Sequence, residues 1–268
     1  MKTRILFIAC ACLAFFACNH DPSGPGEIQV LSFGLNSTSR YNWSFVEEDT
    51  LGQQILWGSD TVVTRVASDN DIVGTNVGLT RMEAYSISHY IATTQAWYKS
   101  YPDSLVEIAY SSAGATPIVL PKRMPGTPVP PGFVRSAADY LRTPLAVRSL
   151  LKTRGIQDSV IERSDKRVVY VYPLSMGSTW VSFRHPFVQN RQVEGYETVV
   201  AGSRTFWCAK IRTSIPEFDS SLEWFDYVSW EGLIKRTIST QGVLLGTEEN
   251  PDGPFITVSF TESMTLIE

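Results

Sequence analysis

Three histidines, one serine–lysine pair and a few short acidic runs are the residues of this 268-residue chain whose types invite chemistry. His20 lies near the N-terminus, and His89 and His185 are about a hundred residues apart with no second His or Cys at ligand spacing. A transition-metal site needs clustered imidazoles and thiolates, so neither forms one on spacing. Ser149-Leu150-Leu151-Lys152 spells S-x-x-K, a string used in acyl transfer when the serine leads a helix in a cleft. Here Ser149 falls in the middle of an expected helix and no K-T-G follows. Asp69-Asn70-Asp71-Ile72-Val73-Gly74 has the flavour of a calcium loop. Val73 stands where an oxygen ligand is required and no Glu closes the loop, so a polar turn is expected. Glu47-Glu48-Asp49 and Glu248-Glu249-Asn250 read as solvated acidic turns. Carboxylates doing glycoside chemistry must face each other across a cleft, which spacing does not show. No G-x-S-x-G elbow, phosphate loop or dinucleotide fingerprint occurs. The expectation is a protein that is not an enzyme, with no cofactor and no metal.

Aromatic residues are the more unusual feature, at 12% of the chain. All seven tryptophans, Trp43, Trp57, Trp97, Trp180, Trp207, Trp224 and Trp230, lie beyond the first forty residues. In Trp224-Phe225-Asp226-Tyr227-Val228-Ser229-Trp230 both strand faces carry rings, and Asp226 is the one charge among them. A structural core accounts for this, because aromatics bury large areas. An apolar ligand cavity accounts for it as well, with Trp207, Trp224, Asp226 and Trp230 as its candidate binding residues. Hydrophobic and charged fractions of 43% and 19% are those of a globular chain. A net charge of −4 without a Lys/Arg block argues against nucleic acid as a partner.

The elements that must position these residues are mostly strands. Runs rich in β-branched and aromatic residues, bounded by Gly, Pro, Asn, Asp or Ser, predict strands at 28–33, 41–46, 54–57, 61–66, 83–91, 95–98 and 105–111. A second set follows at 168–174, 179–185, 196–201, 205–213, 222–230, 233–239 and 255–261. In Thr205–Thr213, Trp207, Ala209 and Ile211 point one way while Lys210 and Arg212 point the other. Such alternation implies an antiparallel sheet with one wet face. Residues 121–132 hold five prolines and two glycines and read as a stiff connector, followed by a helical insert at 133–155. Ser136-Ala137-Ala138-Asp139 has capping-box spacing, and Thr143-Pro144 with Gly155 brackets a helix over 144–154. Trp43 and Thr61 echo Trp180 and Thr198 at an offset of 137 residues. Trp97 and Leu105 echo Trp224 and Leu233 at 127 to 128, so both a duplicated module and chance likeness between aromatic strands stand.

The N-terminus carries an address. Lys2 and Arg4 precede an apolar run from Ile5 to Ala17, the n- and h-regions of a secretory signal. The run is shorter than the roughly 20 residues that span a bilayer core. Phe15-Phe16-Ala17-Cys18 resembles the lipobox of bacterial lipoproteins, with Phe15 for the usual Leu and Phe16 for a small residue. The resemblance implies cleavage after residue 17 and acylation of Cys18; an ordinary secretory signal cut near Ala17 is the alternative. Cleavage removes Lys2 and Arg4 and no acids, taking the net charge from −4 to −6. It also discards Cys10 and Cys12 and leaves Cys208 with no disulfide partner. Residues 18–27 are polar and rich in Pro and Gly, a tether to a single mostly-β domain at 28–268. Asn19 lacks the Asp that retains enteric lipoproteins in the inner membrane, so the outer membrane is favoured.

The stretch from Tyr172-Pro173-Leu174 through Gly177 and Trp180 continues into Glu194 … Ala201-Gly202-Ser203-Arg204-Thr205-Phe206. It ends in Trp224-Phe225 … Trp230-Glu231-Gly232-Leu233-Ile234-Lys235. This resembles a pattern of bacterial envelope lipoproteins, P-L-x-x-G-x-x-W, then A-G-T-F, then W-[YF] … G-[VL]-[GI]-x-[VI]-K. Ser203-Arg204 departs from it as an insertion. The pattern is similar to families sharing the curved antiparallel half-barrel of the LolA and LolB carriers. It implies a strongly curved sheet with one or two short helices, and it carries no catalytic residue. The expected protein is lipid-anchored in the cell envelope and binds an apolar small molecule, a lipid or an envelope protein. A structural subunit of an envelope assembly is the alternative, and a periplasmic hydrolase the third class.

Overall fold

The computed structural model describes residues 27–31, 33–87, 94–112, 159–184, 188–216, 222–245 and 256–268. Twelve strands occupy them: β1 (Thr38–Asp49), β2 (Gln54–Val73), β3 (Asn76–Ser86), β4 (Thr94–Tyr101), β5 (Ser104–Ser112) and β6 (Ser159–Val171). The second half holds β7 (Thr179–Phe183), β8 (Gln189–Ala201), β9 (Arg204–Ser214), β10 (Glu223–Ser229), β11 (Gly232–Leu245) and β12 (Ile256–Leu266). They form one open antiparallel sheet in the order β6-β5-β4-β3-β2-β1-β12-β11-β10-β9-β8-β7. Mainly antiparallel β is therefore the fold class, as period-two alternation predicts. Among the described residues no helix occurs, and none is long and apolar enough to cross a membrane. The helices expected within 133–155, the connector at 121–132, Cys18 and the tether up to residue 26 lie outside the described residues.

Four expectations need correction. The acidic run Glu47-Glu48-Asp49, expected as a turn, is the end of β1 and pairs with both β2 and β12. The runs 54–57 and 61–66 are one strand, because Gly58 is a packing glycine and no turn. It faces Phe45 across the ladder, and a Cβ there would sit 2.6 Å from the Phe45 ring. The polar segment at 69–73 is the far end of that same strand, and the turn follows at Gly74-Thr75. Ile28–Phe33 is not a strand either. Ile28 and Leu31 are buried against Leu105, Tyr170 and Leu174, and the Ile28 carbonyl accepts from the Leu174 amide at 2.9 Å.

The chain is two consecutive six-stranded meanders, β1–β6 and β7–β12, joined through the β1–β12 ladder. Each sequence echo falls on strands six apart: Trp43 and Trp180 on β1 and β7, Thr61 and Thr198 on β2 and β8. Trp97 and Trp224 lie on β4 and β10, and Leu105 and Leu233 on β5 and β11. In both halves the fourth-strand tryptophan donates its indole N–H to an aspartate that also pairs with an arginine. Trp97 reaches Asp71, which pairs with Arg81, and Trp224 reaches Asp226, which pairs with Arg236. The aspartate and arginine come from different strands in the two halves, β2 and β3 in one and β10 and β11 in the other.

The edge strands β6 and β7 share no backbone ladder, but side chains join them. The Val168 carbonyl accepts from Ser182 Oγ at 2.7 Å and Trp180 Nε1 at 3.3 Å, and the Val169 carbonyl accepts from Arg191 Nη1 at 2.8 Å. Edge carbonyls that would otherwise invite a foreign strand are thereby occupied. At the β8–β9 turn, Gly202 has a φ of +57°, and a Cβ would meet the Ile267 carbonyl oxygen at 2.8 Å. Gly202→Ala is expected to cost about 1–3 kcal/mol, read as a lowered midpoint in thermal denaturation.

Candidate functional site

Strands β5 and β6 carry charge on positions where their neighbours are apolar. Glu107 lies between Leu105 and Ala109 and is buried with both. Across the ladder, Arg163 and Arg167 of β6 converge on it. Arg163 gives both its Nε, at 2.8 Å, and its Nη2 to Glu107 Oε1. Its guanidinium also stands 4.7 Å and 5.2 Å from the Tyr110 and Phe183 rings, a cation–π sandwich. Arg167 reaches Glu107 Oε2 only at 3.4 Å and Gln189 Oε1 at 3.5 Å. Burial lowers the Arg167 pKa to about 10, with Glu107 opposing the shift, so the group is charged at neutral pH.

A second cluster forms around Asp226, which is fully buried. Arg236 grips both its oxygens, with Nη2 at 2.8 Å, and Arg191 Nη2 and Trp224 Nε1 complete the ring. Arg191 also donates Nε to Thr213 Oγ1 at 3.1 Å. Burial alone would raise the Asp226 pKa; the charges of Arg236 and Arg191, with hydrogen bonds from Arg236 and Trp224, outweigh it. They hold the carboxyl well below the usual carboxylate range.

Between these clusters lies a cavity of about 510 Å³, walled by side chains from β1 to β6 together with β8, β11 and β12. Its apolar wall includes Phe33, Met82, Leu105, Val169, Leu233 and Met264. Arg167, Arg191, Arg236, Glu107, Tyr98 and Tyr170 add polar groups. Burial, with the nearby Glu107 carboxylate second, pushes the Tyr98 phenol up, so it keeps its proton. The volume falls within the roughly 300–1,000 Å³ typical of small-molecule sites.

Of the residues singled out from sequence, Trp230 lines the cavity from the β10–β11 turn, with 66% of its surface exposed. Trp224 is fully buried, packed with Ile215, Leu222, Ile238 and Phe260. Asp226 is the hub of the ion cluster behind the wall. Trp207 is half-buried and stacks on Tyr196 with ring centroids 6.0 Å apart. The last three are not among the cavity-lining residues. His89, His185, Ser149 and Lys152 lie outside the described residues. Among the described residues no three His, Cys, Asp or Glu side chains gather as a metal site.

Sequence reasoning missed Glu107, Arg163, Arg167, Arg191 and Arg236. The signal was present for two of them. Arg236 alternates with Ile234 and Ile238, and Arg191 with Val193, which is the register of a buried face.

Cys208, expected to lack a disulfide partner, is a free and buried thiol. Burial, reinforced by the Glu197 carboxylate, pushes its pKa up to about 12. Alkylation by iodoacetamide at pH 8 should therefore leave the Cys208 peptide unmodified until denaturant is added, as peptide mapping by mass spectrometry would show. In comparisons with protein-family models, with curated proteins and with solved structures, nothing matches this chain.

Proposed function

We propose that the chain is a lipid-anchored protein of the bacterial cell envelope, held at the outer membrane through Cys18, whose β-domain binds an apolar small molecule without transforming it. The observation that carries this reading is the cavity of about 510 Å³ with a largely apolar wall. Its charged groups are suited to binding and not to proton transfer. Of the groups on its wall, Tyr98 is held protonated and Arg167 charged, so neither exchanges a proton near neutral pH. In this reading the sheet wraps as a half-barrel around the ligand. The bonds from Ser182 and Trp180 of β7 to the Val168 carbonyl of β6 support that shape, as does a wall drawing on β6 and β8 from the two ends of the strand order.

Native mass spectrometry of the protein released from cell envelopes is the test. A bound hydrophobic small molecule is expected; a bare protein mass, or a co-purified protein and nothing smaller, overturns the reading. The anchor has its own test. Cys18→Ala should abolish acylation, and an unacylated mature chain from the unsubstituted gene refutes the anchor.

A further inference from the structure

The cavity reaches solvent at one end of the sheet. Trp230 lines it and yet keeps 66% of its surface exposed, and Gly34 and Ser37 line it on either side of the half-exposed Leu35. Both residues ride on tight turns. Trp230 is in the two-residue connection between β10 and β11, and Leu35 is in a turn closed by the Ser37 amide on the Gly34 carbonyl at 2.9 Å. The ladders set the β10–β11 turn beside the end of β12 and the start of β1, since Lys235 pairs with Thr265 and Tyr41 with Leu266. Val200 and Ile267 are exposed at this end as well, where Gly202 packs close to the Ile267 carbonyl. Turn tips ordinarily carry small or polar residues, whereas these present large apolar side chains to water.

The described chain begins at the same end. The Ile28 carbonyl accepts from the Leu174 amide in the β6–β7 connection, where Met176 is 74% exposed. Cys18 stands nine residues before Glu27, and nine peptide steps reach at most about 30 Å. The twelve residues of β1 alone span about 40 Å. An anchor at Cys18 therefore brings this end to the bilayer and not the opposite one, where Leu51 is exposed.

We propose that this end docks on the bilayer that holds Cys18, with Trp230, Leu35 and Met176 in the headgroup layer, so that the ligand passes between cavity and lipid without crossing water. The inference rests on the anchor and binding reading above and names the surface that the site faces. Tryptophan favours the membrane–water interface, where its ring is shielded and its N–H stays wet. Charged neighbours come as opposite pairs, Arg204 with Glu231 and Arg40 with Glu268, the latter at 3.2 Å. Docking thus draws on apolar contact more than on charge. Because the anchor already holds the two surfaces together, modest contact is enough.

The test uses the full-length protein from cell envelopes, reconstituted in vesicles, with Met176→Cys or Leu51→Cys carrying a fluorescent dye. Cys208 is buried and does not compete for the label. The vesicles hold plain phosphatidylcholine or phosphatidylcholine with a nitroxide quencher on its head group. Dye at position 176 is expected to lose most of its emission in the nitroxide vesicles, and dye at position 51 to keep it. Adding Trp230→Ser to the Met176→Cys protein should restore the emission. Adding Trp57→Ser, which removes a tryptophan of similar exposure (69%) towards the opposite end, should not. Equal quenching at both positions, or quenching at 176 that survives Trp230→Ser, overturns the docking and leaves the anchor and the cavity standing. Absence of quenching at 176 in protein that floats with the vesicles does the same. A chain that is unacylated and does not float overturns the anchor reading, and this inference with it.

Discussion

Asp226→Asn is expected to lower folding stability by about 3–5 kcal/mol, measured as a reduced midpoint in urea with tryptophan fluorescence as the probe. The amide keeps the shape of the carboxyl and removes only its charge. Arg191 and Arg236 then remain buried, with side-chain exposures of 1% and 7%, facing a neutral partner. Taking charge out of water is costly, and a guanidinium without its anion bears that cost unrelieved. The combined replacement Arg191→Met, Asp226→Leu, Arg236→Met and Glu262→Gln should be less damaging than the single one, since it removes the buried charges together, that of Glu262 beside Arg236 included. If the single change is mild, or the combined one is worse, the cluster does not act as one electrostatic unit. Acid should act in the same direction. The folded-state pKa of Asp226 lies below its unfolded value of about 3.9. The associated stability is thus fully present above the unfolded value and is lost as pH falls through the folded one. Asp226→Asn should flatten the stability profile in that strongly acidic window and leave its slope near neutral pH unchanged.

Trp43→Ala should cost a comparable amount, about 3–5 kcal/mol, by opening a cavity in the main core cluster. Trp43 has no exposed surface, packs with Tyr41, Val62 and Met264, and stands 5.0 Å from the Phe45 ring. Its indole N–H, however, has no acceptor among the described residues. Trp43→Phe deletes that buried donor along with part of the ring, so a gain partly offsets the lost contact area. The phenylalanine variant is expected within about 1.5 kcal/mol of the original protein. Equal damage from both substitutions would mean that the indole N–H is satisfied in solution.

Strands were legible because period-two alternation survives wherever one face is wet, as at Lys210 and Arg212 on β9. Their boundaries were not, because the local signals for ending a strand also serve other ends. Gly58 marks a close approach to Phe45, and Asp71 sits in a strand because Trp97 and Arg81 bind its carboxylate. The site was partly legible through Asp226, a charge among rings. Its counter-ions come from β8 and β11, thirty-five and ten residues away, and only tertiary register brings them together. Arg167 could not be distinguished from other strand arginines by sequence. Its place beside Glu107 comes from the β5–β6 register, which pairs the two.

The β1–β12 ladder has a kinetic consequence. Among the described strands every other ladder joins strands consecutive in the chain, whereas this one pairs Tyr41 with Leu266 and ties Arg40 N to the Glu268 carbonyl at 2.8 Å. Each half can zip by successive local hairpins, but this single ladder must bring together the two ends of the domain. Closing so long a loop sets back chain entropy before any contact rewards it, which slows folding. A circular permutant that links the present termini and opens between β6 and β7 would keep all the ladders and make each one sequential. It should refold faster in stopped-flow experiments, with the order of strands in the sheet unchanged.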